Sequence, residues 1–193
     1  MRRPASRLSA DRLQSDTIRA EELYSALKAA LAPALKTAGF KRSKIWTLAW
    51  ARSTDKGQLA FWFQCDHYGW MRELGSRFTL EFQLAEDADA LSNNLKKRER
   101  FAALLSDEEL GTARSLNNEV LGSLPKPSTG NPILAIPDHL RESLLAAYAP
   151  RTEPYRSNDD VWMHYYTHAH IRAWAAFLEP RITGLSLKFL KGA

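Results

Sequence analysis

The sequence predicts an α+β fold: an N-terminal helix packed on an antiparallel meander of three to four strands, with a helical C-terminal half. Three patterns predict it. Apolar residues recur at the helical period over residues 17–38, period-two alternation runs through residues 45–84, and helical patterning returns after residue 89. At 193 residues, 45% hydrophobic and 25% charged, the chain is long enough for one domain with a real core. We divide it into a flexible basic arm over 1–15 and a single α+β domain over 16–193. Within that domain, 16–88 carries the helix and sheet, and 89–193 is mainly helical.

The first helix is expected from about Thr17 to Ala38, because Leu23, Leu27, Leu31 and Leu35 form one stripe at the 3.6-residue period. Ser15 or Asp16 would cap its start, Pro33 would kink or break it, and Gly39 followed by Phe40 would close it. Three strands follow. Over Ile45–Arg52, Trp46, Leu48 and Trp50 alternate with Ile45, Thr47 and Ala49, and Asp55-Lys56-Gly57 makes the turn. Over Gln58–Asp66, Leu59, Phe61, Phe63 and Cys65 share one face while Ala60, Trp62, Gln64 and Asp66 share the other. Over Ser76–Leu84, Phe78, Leu80, Phe82 and Leu84 alternate with Arg77, Thr79, Glu81 and Gln83.

After Asp89 the pattern reads as helix, with Lys96-Lys97-Arg98-Glu99-Arg100 as a solvated helix face. A second helix runs over Asp107–Leu121 and ends at Gly122. Three prolines make 124–132 a loop, and Ile133–Ile136 suits a short fourth strand. Asp138 is placed to cap a further helix, Asn158 a long one reaching Glu179, and the apolar tail Ile182–Leu190 packs back on the body.

The net charge of +5 is local. Arg2, Arg3, Arg7 and Arg12 against Asp11 contribute +3, and Lys41, Arg42, Lys44, Arg52 and Lys56 against Asp55 contribute +4, so the remainder is slightly acidic. A single cysteine, Cys65, excludes an intramolecular disulfide and fits a reducing, cytoplasmic compartment. No apolar run is long enough to cross a bilayer, so no membrane partner is expected.

Two groups of residues could bind a partner. One is the polar face of the sheet, where Trp62, Gln64, Arg77, Glu81 and Gln83 point away from the first helix. The other is the basic turn Lys41, Arg42 and Lys44, which could hold phosphate beside Trp46 and leaves nucleic acid as a second class of partner. Two patterns could hold a metal. Asp66 followed by Glu81-x-Gln83 imitates a metal-dependent nuclease, although Gln stands where that chemistry wants Lys. His164 and His168 would share a helix face at i, i+4, without the glutamate of a zinc-protease helix. No Gly-rich phosphate loop, nucleophile elbow or C-x-x-C pair calls for a cofactor, and no catalytic set is assigned.

The run Leu35-Lys36-Thr37-Ala38-Gly39-Phe40-Lys41-Arg42, the Trp-bearing strand after it, a strand ending in Gln64 and the strand Arg77-Phe78-Thr79-Leu80-Glu81-Phe82 together resemble an uncharacterised bacterial domain-of-unknown-function family. The likeness covers about a third of the chain, Ala26–Leu84. Two stretches depart from the family pattern. Gln64-Cys65-Asp66 stands where it has Gln-Lys-Ser, and Leu80-Glu81-Phe82 where it has Asn-Leu-Gly. Members are sometimes encoded near toxin–immunity or defence loci, so the resemblance implies an immunity or accessory role. The expected function is a cytoplasmic binding module that engages a protein. A metal-dependent hydrolase using the polar sheet face is the alternative, and nucleic-acid binding through the basic turn a further one.

Overall fold

The computed structural model describes residues 17–92, 95–125 and 137–192. The basic arm 1–15, the caps expected at Ser15 and Asp16, and the strand expected at Ile133–Ile136 lie outside the described residues.

Helix α1 spans Ala20–Thr37 and runs through the exposed Pro33 without a break. Its start is about three residues later than the periodicity suggests. There the Glu22 carboxylate accepts from the Arg19 backbone N–H at 3.4 Å. Its end is a Schellman turn: Phe40 N–H donates to the Leu35 carbonyl at 2.9 Å and Gly39 N–H to that of Lys36 at 3.1 Å, with Gly39 at φ +79°. Phe40 folds back into the core, edge-on to Phe61.

The sheet is antiparallel. Strands β1 (Lys41–Ser43), β2 (Leu48–Thr54), β3 (Gly57–Cys65), β4 (Ser76–Ala85) and β5 (Leu95–Arg100) follow one another as a meander, and β6 (Met163–Tyr165) pairs with the first half of β4. The α+β architecture is as the sequence predicts, with six strands among the described residues where three or four were expected. Helices α2 (Asp107–Gly122), α3 (Asp138–Ala147), α4 (His168–Leu178) and α5 (Ile182–Lys191) complete the described chain.

One sheet face carries the main core. Leu48, Trp50, Leu59, Phe61, Phe63, Phe78, Leu80, Phe82 and Leu84 meet the four-leucine stripe of α1 together with Trp174 of α4 and Phe189 of α5. Burying side chains of this size is worth roughly 1.5–3 kcal/mol each and fixes which face of every strand turns inward.

Three expectations fail for identifiable reasons. The charged run 96–100 is not a helix face but part of β5. Arg98 and Arg100, two residues apart, lie opposite Gln83 and Glu81 in register and both turn to the Glu81 carboxylate, a period-two pattern that a run of charged residues conceals. The long helix from Asn158 does not form. Met163 and Tyr165 enter the core as strand residues, and a new helix starts at His168. Thr167 caps that helix, accepting from His170 N–H at 3.4 Å, while His170 Nδ1 accepts from the backbone N–H groups of Thr167 and Tyr166 at 3.2 and 3.1 Å. This reciprocal cap uses histidine where glutamate is usual. Finally, Asp138 is the first helical residue of α3, with Pro137 at the cap.

Candidate functional site

The polar face of the sheet assembles as its alternation requires. Register places Trp62 opposite Glu81 and Glu81 opposite Arg100, Gln83 opposite Arg98, Gln64 opposite Thr79, and Arg77 opposite His164. Of the residues expected to form an open surface there, only Gln64 is exposed. Trp62, Glu81 and Gln83 are buried, and Arg77 is half-buried. Gln83 donates through Nε2 to the Leu91 carbonyl, in the 3₁₀ turn Asp89–Ser92 that lies over this face.

The buried charges are paired. The Glu81 carboxylate, 3% exposed, is bound by Arg98 and lies 3.5 Å from Arg100 Nε. Arg100 also pairs with Asp160. Asp66, equally buried, accepts from Arg77 Nε at 2.6 Å and from Tyr68 N–H at 3.2 Å. The arginines lie against rings. Arg98 is 5.0 Å from the Trp62 centroid, Arg100 5.4 Å and Arg77 4.8 Å from that of Trp162, and Arg77 5.5 Å from that of Tyr148. Arginine suits this position, since its planar, weakly hydrated group tolerates both a carboxylate and an aromatic face.

This geometry separates the candidate metal ligands. Asp66 and Glu81 are each held by guanidinium groups, where a divalent ion would meet positive charge. His164 and His168 do not share a face. His164 is a buried strand residue, and His168 is an exposed helix residue bonded to Glu22 Oε2 at 2.8 Å. That bond lowers the Glu22 carboxyl pKa. No group of three or more His, Cys, Asp or Glu that could hold a metal occurs among the described residues. Cys65 is a partly buried thiol whose pKa is raised by burial, and Tyr24 Oη accepts from its backbone N–H at 3.4 Å.

At one end of the polar face lies a cleft of about 540 Å³ lined by Ile45, Trp46, Trp62, Gln64, Gln83 and Arg98 among others. The sequence pattern groups Trp46 with Leu48 and Trp50. Residues 44–47, however, form a bend outside the strand, and the Trp46 ring crosses to the polar side to stack on Trp62, with centroids 4.4 Å apart and planes at 8°. Ile45 beside it is 43% exposed, and the Arg98 side chain is 51% exposed. The bend is held by Arg42, which donates to the carbonyls of Ala49 and Thr47 and lies 4.8 Å from the Trp50 ring. Arg52 likewise donates to the Ala38 carbonyl at 3.0 Å. The run expected as a basic turn is instead strand β1 followed by the bend; Lys41, Arg42 and Lys44 are all exposed, and Arg42 also braces the chain.

Sequence reasoning missed Arg98, Arg100, Asp160 and Trp162. The alternation Arg98-x-Arg100 and the apolar pair Met163/Tyr165 are the signals that could have found them. Compared with family models, curated proteins and solved structures, the chain has no match. No helix among the described residues is long and apolar enough to cross a membrane.

Proposed function

We propose that this chain is a non-enzymatic binding module that engages a protein partner at the cleft between the 44–47 bend and the polar sheet face. One observation carries the reading: the Trp46–Trp62 stack opens onto a cleft flanked by the exposed Ile45, the exposed Gln64 amide and the half-exposed Arg98. Trp and Arg are the side chains that dominate interface energetics, because they desolvate a large area at small entropic cost while keeping polar groups to pair. Lys44 beside this patch favours a partner with acidic residues around an apolar anchor. The resemblance over Ala26–Leu84 supports a cytoplasmic, immunity or accessory role within a bacterial family of that kind.

The hydrolase alternative requires Asp66 and Glu81 to be available to a metal, and their arginine partners weigh against it. The nucleic-acid alternative rests on Lys41 and Lys44, with Arg42 and Arg52 engaged by backbone carbonyls.

The test is quantitative affinity capture from the source cells with the wild-type chain, Ile45→Glu, and Leu187→Glu as a control at an exposed apolar site on α5. A partner retained by wild type and L187E but weakened about tenfold or more by I45E is the expected result. Capture that is indifferent to I45E removes this surface from consideration.

A further inference from the structure

A second cleft, of about 520 Å³, lies at the opposite end of the polar face. It is lined by Arg77, Trp162 and His164 on the sheet side and by Leu121, Ala146 and Pro150 among others on the helix side. A volume of this order suits a small organic ligand.

Two features of its wall call for a ligand. Arg77 is held at its Nε by Asp66, and its planar group is fixed between the rings of Tyr148 and Trp162. Beyond Asp66, no acceptor for its guanidinium occurs among the described residues. The Nη edge therefore forms a preset two-pronged donor at the cleft wall. Directly across the β4–β6 pairing, His164 is 5% exposed, and its Nδ1 has no hydrogen-bond partner among the described residues. A buried polar atom without a partner is rare in native proteins, because it gives up its hydrogen bond to water without a replacement.

The other charges at the cleft are accounted for. Arg151 is paired with Asp159 at 2.8 Å, Asp160 is paired with Arg100, and Glu153 is exposed. Tyr155 Oη accepts from Asn117 Nδ2 at 2.9 Å. The inner wall thus presents the Arg77 donor edge and an unpartnered imidazole nitrogen, and the facing wall includes the apolar Leu121, Ala146 and Pro150.

We propose that this cleft binds a small organic oxyanion, its carboxylate or phosphate group on the Nη edge of Arg77 beside His164 and its apolar part against Leu121, Ala146 and Pro150. The site lies apart from the Trp46–Trp62 cleft and does not depend on the protein-binding reading.

The test is a ¹H–¹⁵N NMR titration of the full chain with acetate, benzoate and inorganic phosphate, using chloride as reference at constant ionic strength. The expected result is a saturable shift of the Arg77 Nε–H and Trp162 indole N–H signals with at least one of the three oxyanions. Stronger binding of benzoate than acetate would locate the apolar part in the cleft, and preference for phosphate would identify the anionic group. Arg77→Lys keeps the charge but loses the fork, and should weaken binding about tenfold. Because a lone Asp66 would be costly to bury, Asp66→Asn/Arg77→Gln provides an uncharged pair that keeps the packing, and it should abolish the saturable shift. The proposal is overturned if every anion, chloride included, gives the same linear response. It is equally overturned if saturable binding persists in both variants.

Discussion

At the scale of single residues, the polar face shows how burial changes what a titratable group can do. His164 is buried beside Arg77, and burial first, then that neighbouring positive charge, pushes its pKa down to about 3. Its imidazole is neutral in the folded chain, while the unfolded chain protonates it near the ordinary value of about 6.5. Between those two values the unfolded state binds more protons, so this group makes stability rise with pH. The contribution is complete above pH ~6.5 and is lost at about 1.4 kcal/mol per pH unit as the pH falls towards 3. Urea denaturation at pH 4.5 and 7 should show this loss in the wild type, and His164→Asn should reduce it. An unchanged slope in H164N would assign the acid sensitivity to other groups. Arg42 makes the same point in another way. The sequence presents it as a binding cation, but it braces the bend that carries Ile45 and Trp46.

At the scale of elements, glycine marks the places where the backbone is least replaceable, and the structure ranks them. Gly39 closes α1 at φ +79° with open space around a would-be Cβ, so Gly39→Ala costs only the left-handed strain, about 1–2 kcal/mol. Gly57 opens β3 at φ +128°, and a Cβ there would drive into the Ala85 backbone carbonyl on β4. Gly57→Ala must therefore push β3 away from the end of β4 and should cost more than Gly39→Ala. Denaturant midpoints of the two variants measure the order, and equal costs would contradict the close approach of β3 to β4. Gly39, Phe40 and the alternating strands were legible in the sequence because their signals are local: a cap, a turn, a period. The β5 and β6 strands were not. A run of charges has no visible period, and a three-residue strand inside an aromatic stretch has too few residues to declare one.

At the scale of the whole molecule, the ends of the described chain meet in one core. Phe189 of α5 is fully buried 5.9 Å from Phe82 on β4, and Lys56 Nζ and Lys97 Nζ donate to the carbonyls of Leu190 and Gly192 at 2.9 and 2.8 Å. We expect a single cooperative unfolding transition, with Phe189→Ala costing about 3–5 kcal/mol through the cavity it leaves. A cost below about 1 kcal/mol in urea denaturation would show that the C-terminal helix is peripheral to the core. The sequence by itself determined the α+β class, the helix that covers the sheet, the inward and outward faces of β3 and β4, and the closure of α1. All of these follow from periodicity and backbone chemistry within a few residues. Only the tertiary structure decided how the polar face is covered and paired. Arg98 and Arg100 reach Glu81, and Trp162 reaches Arg77, from 17 to 85 positions away in the chain, and Asp160 comes from a distant loop to pair with Arg100. Pairing across that distance depends on which strands adjoin, and no local pattern encodes it. The outward face therefore became a layer of buried carboxylates capped by partly exposed arginines, with a cleft at either end.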